Sequence, residues 1–553
     1  MEYHVLMWLK RLSSLSVLCS AAILLLVFRA WSQDISMDEA NTYRFFVAPL
    51  QMGHLELLKL QEGYWSGYSN NHLLATLLIS ASTAAFGVSP ITLRLPALLA
   101  AALYCVLSAA IAERLCGRTW RATVVFVLLV FNPLVLDNLV AARGYAIALA
   151  CEMGIVLLVL REPAAGQKPL KRWLAMSVLG GVAVTANYTF GFTMGALLFA
   201  ELAVRLWRRQ IAPGESMAAA TALFIPAAVI VLALCLDNLR TFQMLDMQGA
   251  WGIDSLAASF RSLAALSFNP ANPLLTPPHL RGLFDGLSRA APWIALVLAI
   301  VAAGCGMLCG LRAHCAKEAS ARFLLTLVVA FAASVFLFLL LHWIFGLKLP
   351  YSRTTIHWVP LLTLLVAAPL FLEGMGARLC LLAGRCGAGA IAALYLASLH
   401  TAYFMEWPWD ADSCSATSAA LRLADRLGVE RVYAAWEIEA TSVFYAERFG
   451  NRPERVSALF ENDKQPFAGT DAKVFILTPR MLRHIDTAGL TTAASFPLSG
   501  VVVAVRDAPH FSPPQAPVRD RIDAIEPRCT QHRWHEDRRL YPSTQCEAAQ
   551  HCW

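Results

Sequence analysis

The chain has 553 residues, of which 58% are hydrophobic and only 15% charged, with a mean hydropathy of +0.54 and a formal net charge of +7. A soluble protein of this length carries far more charge, so the composition excludes a water-soluble globular enzyme and indicates an α-helical polytopic membrane protein. The positive balance reads as membrane topology. No Arg/Lys stretch is interleaved with aromatics as a nucleic-acid groove requires, so nucleic acid is not an expected partner.

In chain order, MEYHVLMWLKRLSSLSVLCSAAILLLVFRAW opens the sequence with an apolar core too long for a signal peptide and without a small-x-small cleavage pattern. It reads as an uncleaved first span. Apolar runs predict spans near 12–31, 92–112, 121–137, 143–160, 172–187, 189–205, 217–236, 291–311, 322–346, 355–373 and 380–399. The stretch HLLATLLISASTAAFG at 72–87 is shorter and richer in Ser, Thr and Ala. If it lies at the outer interface, the basic loops ERLCGRTWR, REPAAGQKPLKRW, RLWRRQ and LRAHCAKEASAR share a side with Lys10 and Arg11. If it crosses, they all move to the opposite side. Positive charge favours the cytoplasm, so the first arrangement is expected: about eleven spans and a cytoplasmic N-terminus.

A transmembrane region over 1–400 then carries two long outer loops, 32–91 and 237–290, the second with the Pro-rich NPANPLLTPPHL. Residues 411–508 change character. SATSAALRLADRLG, IEATSVFYAERFG and PRMLRHIDTAG read as helices, alternating with strands in ERVYAAW, AKVFILT and GVVVAVR, which predicts a small extracytoplasmic α/β domain. The remainder, 509–553, reads as a polar, disordered tail. Of fourteen cysteines, Cys414, Cys529, Cys546 and Cys552 face outward in this topology, where three disulfide pairings are open. Cys529, His532, His535 and Cys552 include metal-ligand types, but their spacing matches no strong zinc pattern.

The chemistry-bearing residues gather at the outer face. QDISMDEANTYRFF follows the first span and brings Asp34, Asp38 and Glu39 beside the membrane. An isolated acidic pair there reads first as helix capping, because acids favour a first helical turn. The same face collects His72, Arg94, Asp137, Arg143, Tyr145, Lys348, Tyr351 and Arg353, so acids able to take protons meet cations able to hold phosphate. Taken singly, each has a structural reading. Arg94 and Arg143 anchor span ends, Asp137 and His72 cap helices, and Tyr145 and Tyr351 join an aromatic belt. Glu152, inside a span, needs a task or a partner there.

The order of these elements is an acidic motif after span one, a His at a helix start, R-x-P-A-L opening the next span, an A-R-x-Y element, and a late P-x-x-R. It resembles the GT-C glycosyltransferases, specifically the bacterial relatives of protein O-mannosyltransferases and of the lipid A aminoarabinose transferase. The resemblance covers about residues 1–400. It implies a bacterial inner-membrane enzyme that takes a sugar from a polyprenyl-phosphate carrier outside the membrane and transfers it to a lipid, glycan or protein acceptor. Asp38 then matches the general base and Glu39 the residue that positions the site. Asp137 matches an acid for acceptor or metal, and Arg94, Arg143, Tyr145, Lys348 and Arg353 match the donor-phosphate side. His72 matches the histidine of the family's H-P-P-L element, although this chain reads NHLL.

That departure keeps a catalytically inactive relative open as an alternative. A lipid or glycan transporter or flippase is a second one, but no internal repeat of the transporter kind is visible. No GxGxxG follows a strand and no GxxxxGKS occurs, which favours a lipid-linked donor over a nucleotide sugar. A carboxylate acting only as base gives a single displacement with inversion, whereas a carboxylate nucleophile gives retention. No cofactor is assigned. A divalent cation, Mg or Mn, shared by Asp38 and Asp137 is compatible with the residues, as is reaction without metal.

Overall fold

A computed structural model of the chain describes residues 14–52, 72–161, 169–211, 213–244, 252–270, 272, 275–311, 319–372, 378–450, 453–460, 473–485 and 489–506. The residues before His72 in GYSNN, the tail 509–553 and the candidate ligands Cys529, His532, His535 and Cys552 lie outside them. The chain divides into two compact units. One holds Met1–Ala30 and Phe45–His400, the other Trp31–Arg44 and Thr401–Trp553.

The first unit is helical. Among the described residues six helices are long and apolar enough to cross a membrane: Ser14–Ser32, Pro90–Cys116, Phe190–Trp207, Ser216–Cys235, Pro278–Leu308 and Ser320–Phe345. A seventh span arises if the bent pair Trp120–Val130 and Pro133–Val140 counts as one. The chain is a multi-pass membrane protein. The four other segments expected to cross are shorter or interrupted: Tyr145–Leu160, Leu170–Ala186, a run split into Ser352–Trp358, Val359–Val366 and Ala368–Phe371, and Arg378–Ala397, whose apolar part is Leu381–Ala397.

Local chemistry explains several of these boundaries. Ser89 and Thr92 form a capping box ahead of Pro90, so the helix starts where its orphan N–H groups are answered. The expected span 121–137 is broken by 62° because Asn132 caps a new helix through Leu134 N–H and Val135 N–H, with Pro133 at its first position. The stretch 72–87 forms a single helix, Leu73–Phe86. The expected loop 237–290 is largely helical: Ser216–Met244 runs into it, Leu256–Ser267 lies within it, and Pro278–Leu311 begins in it. Polar ties hold the bundle from inside. Arg29 pairs with Asp137, both nearly fully buried, and Arg172 and Arg205 both pair with Glu201.

Among the described residues the second unit is built on a five-stranded sheet ordered β2-β1-β3-β5-β4, with β1 Val432–Ala435, β2 Val456–Leu459, β3 Val474–Leu477, β4 Leu490–Ser495 and β5 Val502–Arg506. The β2-β1-β3 pairings are parallel and the β3-β5-β4 pairings antiparallel. VFIL of β3 is buried at every position, as a strand covered on both faces must be. Helices Ser413–Arg426 and Trp436–Arg448 contribute Ala416, Ala420, Leu421, Ile438 and Val443 to the core around the sheet.

Residues Trp31–Arg44 pack with this unit although some 360 residues separate them from it in sequence. The Ser32 hydroxyl donates to the Thr401 carbonyl at 3.0 Å and the Gln33 amide to the Tyr403 carbonyl at 2.7 Å. Arg44 pairs with Glu439 at 2.8 Å, and Tyr43 meets Phe444 edge-on at 5.6 Å. The division at residue 400 expected from the sequence therefore has a second strand of chain running through it.

Candidate active site

The acidic motif is built by a short helix, Met37–Thr42. Ser36 caps it: Glu39 N–H donates to Ser36 Oγ at 3.4 Å, and Ser36 N–H donates to Glu39 Oε2 at 2.8 Å. The two acids thus part company. Glu39 closes the capping box, while the Asp38 side chain leaves the helix in a different direction, as adjacent helical positions require. Both are buried, Asp38 at 3% and Glu39 at 1% exposure.

Two residues that the sequence left unmarked complete this region. Asp410, in the turn Pro408–Asp412, accepts from Met37 N–H at 2.7 Å and from the Thr441 hydroxyl at 3.4 Å. Tyr445, on helix Trp436–Arg448, accepts from Ile35 N–H at 2.9 Å and donates to Asp34 Oδ1 at 3.3 Å. Asp34 Oδ2 also takes the Cys414 N–H at 3.0 Å, and Cys414 is disulfide-bonded. Burial pushes the Asp410 carboxyl well above the ordinary carboxylate range, with the charges of Asp38 and Asp34 adding to the rise. The hydrogen bonds from Met37 and Thr441 offset only part of it.

The cationic residues form a separate grouping in the helical unit. His72 stands at the N-cap of Leu73–Phe86. Arg143 Nη2 lies 3.2 Å from His72 Nε2, and the Tyr145 ring meets the imidazole edge-on at 5.5 Å. Arg353 is close enough for its charge to act on His72. Burial, then Arg143, then Arg353, hold the imidazole well below its ordinary pKa, so it is neutral at physiological pH. Nδ1 of His72 has no hydrogen-bond partner among the described residues.

One glycine makes this grouping possible. A Cβ at Gly144, between Arg143 and Tyr145, would lie 1.7 Å from the Ala186 carbonyl oxygen, so any side chain there would displace backbone. The A-R-x-Y element is tied by that contact to the end of helix Leu170–Ala186. The signal was present in the sequence as ARGY, but nothing local marks the Gly as a close approach.

The other candidates have partners of their own. Arg94 is fully buried and donates to the Ala30 carbonyl at 2.8 Å. Asp137 carries the Arg29 ion pair, and Lys348 pairs with Asp254 at 2.5 Å, partly exposed. Of the nine residues singled out by sequence, His72, Arg143, Tyr145 and Arg353 form one grouping; Asp38 and Glu39 belong to the other unit. Among the described residues no set of three or more His, Cys, Asp or Glu side chains is arranged to hold a metal ion.

No family model matches the chain, and no curated protein matches it. Among solved structures it is similar to ArnT from Cupriavidus metallidurans bound to undecaprenyl phosphate, at 15% identity and a TM-score of 0.38, covering 90% of this chain and 99% of that one. It is also similar to the apo state of the same protein, at 15% identity and a TM-score of 0.39, covering 88% of this chain and 97% of that one.

Proposed function

We propose that the protein is a glycosyltransferase that moves a sugar from a polyprenyl-phosphate carrier to a lipid, glycan or protein acceptor at the outer face of a bacterial inner membrane. The observation that carries this reading is the contact of the Arg143 guanidinium and the Tyr145 ring with a buried imidazole on which the Arg353 charge also acts. Guanidinium is permanently charged and presents paired donors that match phosphate oxygens. The neutral imidazole accepts from Arg143 through Nε2, which leaves its proton on Nδ1 as a further donor.

In this mechanism the acceptor hydroxyl or amine attacks the anomeric carbon as the bond from that carbon to the carrier phosphate oxygen breaks. The bonding pair leaves with the phosphate, where Arg143 and Arg353 offset the growing charge, with Arg94, Tyr145 and Lys348 serving the donor side and His72 beside them. The acceptor proton passes to Asp38, which Glu39 supports by fixing the helix, while Asp137 serves the acceptor or a divalent cation. The displacement is single and inverts the anomeric centre. About eleven spans with a cytoplasmic N-terminus place the acids and residues 411–508 outside.

The reading is tested by transfer of radiolabelled sugar from polyprenyl-phosphate donors in membranes carrying wild type, Asp38→Asn or Arg353→Ala at matched protein levels. Wild type transfers, and Asp38→Asn lowers the rate about 10²–10⁴-fold. Full activity in Asp38→Asn removes the proposed base. No transfer by wild type with any donor sinks the reading and leaves a transporter or an inactive relative.

A further inference from the structure

Arg353 sits on a short segment that is held from both ends. Upstream, Ile253 and Leu349 form an antiparallel bridge, with N–H to carbonyl distances of 3.0 and 2.8 Å. The close approach needs Gly252, since a Cβ there would lie 2.6 Å from the Leu349 carbonyl oxygen. Ser352 N–H then donates to Ser262 Oγ on helix Leu256–Ser267 at 3.0 Å. Ser352 has φ +57°, a left-handed conformation that a residue with a Cβ keeps only when its surroundings impose it. Tyr351 N–H donates to Thr354 Oγ1 at 2.7 Å, closing the turn around Ser352 and Arg353.

Downstream, the same 3₁₀ helix, Ser352–Trp358, is pinned by a polar chain inside an aromatic setting. Trp358 Nε1 donates to Ser334 Oγ at 3.1 Å. Ser334 Oγ lies 3.1 Å from Thr193 Oγ1, which lies 2.7 Å from His357 Nδ1. An indole can only donate. With Ser334 donating to Thr193 and Thr193 donating to Nδ1, the chain closes with one proton per link. His357, Thr193 and Ser334 are all fully buried, and His357 stacks on Phe338 at 5.3 Å and meets Phe190 edge-on at 6.0 Å.

Nε2 of His357 has no hydrogen-bond partner among the described residues. An imidazole here therefore carries a desolvation cost that phenylalanine among the same rings would avoid. What the imidazole adds is the link to Thr193, and through it to helices Phe190–Trp207 and Ala319–Phe345.

We propose that His357, through Thr193 and Ser334, is a positioning residue that fixes Arg353 for the carrier phosphate. The inference rests on the reading of Arg353 as a phosphate ligand and adds what orients it.

The test is binding of undecaprenyl phosphate to the purified full-length chain. Wild type is compared with His357→Phe, which keeps the ring packing, and Thr193→Val, which keeps the shape but loses the hydroxyl. His357→Asn, whose amide oxygen can take the Nδ1 position, is the rescue. His357→Phe and Thr193→Val are expected to raise Kd about tenfold each, as loss of one buried hydrogen bond would. His357→Asn is expected to recover most of it.

In an Arg353→Ala background, His357→Phe is expected to change Kd no further, because the two act as one unit. If Arg353→Ala raises Kd while His357→Phe and Thr193→Val leave it unchanged, or if the His357→Phe effect simply multiplies that of Arg353→Ala, the positioning role is overturned and the phosphate reading survives. If Arg353→Ala itself leaves Kd unchanged, the phosphate reading fails and takes this inference with it.

Discussion

The two polar regions of this molecule solve one physical problem with opposite signs. In the helical unit, burial keeps His72 neutral, and the charges of Arg143 and Arg353 push the same way. In the other unit, burial favours the neutral form of Asp410, and the charges of Asp38 and Asp34 push the same way. Burial is the largest cause in both, and like charge adds to it. One region concentrates permanently charged donors beside a neutral imidazole, and the other concentrates carboxylates, one of which favours its protonated form.

The sharpest way to break the cationic region is Gly144→Ala. A methyl group 1.7 Å from a backbone oxygen cannot be relieved by a rotamer change, so Arg143 and Tyr145 must shift with their backbone. The expected cost is about 1–3 kcal/mol or more, seen as a lower melting temperature of the detergent-purified protein together with loss of carrier binding. An unchanged melt and unchanged binding would mean that the close approach does not fix this element.

A smaller effect separates the acidic region. The folded pKa of Asp410 is raised, so its stabilising contribution is complete below the unfolded value, near 3.8, and is lost as pH rises through the folded value. Asp410→Asn, which imitates the neutral form and can still accept from Met37 N–H, is expected to melt higher than wild type in alkaline buffer. The two should converge in acid, and the gap should widen with rising pH. A gap that is constant across pH would assign the difference to packing instead.

How much of this was readable from the chain depends on how local each feature is. Strands β1, β3 and β5 fall within ERVYAAW, AKVFILT and GVVVAVR, whose dense apolar residues reflect their places inside the sheet. The two strands not expected, β2 and β4, are the sheet's edges, where VSAL and LTTAAS need less apolar character. The break at Asn132-Pro133 was spelled in cap and proline, yet hydropathy averaged over it. His72, Arg143, Tyr145 and Arg353 were identified by type and order. Their convergence and the role of Gly144 depend on contacts distant in sequence, which no local pattern records. The pairing of Trp31–Arg44 with the C-terminal unit was hidden for the same reason: each of its hydrogen bonds joins residues hundreds of positions apart. Hydropathy sees a loop after a span, whereas Asp410 and Tyr445 give that loop its shape.

The central claim is that the cationic grouping recognises a lipid-linked phosphate. It is tested most directly by comparing undecaprenyl phosphate with undecaprenol for binding to the purified chain, in wild type and Arg143→Gln. The account predicts that wild type prefers the phosphate by about 10²-fold or more, as two charge-assisted contacts would give. Most of that preference should vanish in Arg143→Gln while affinity for the alcohol is unchanged. Equal affinity of wild type for the two lipids would contradict it.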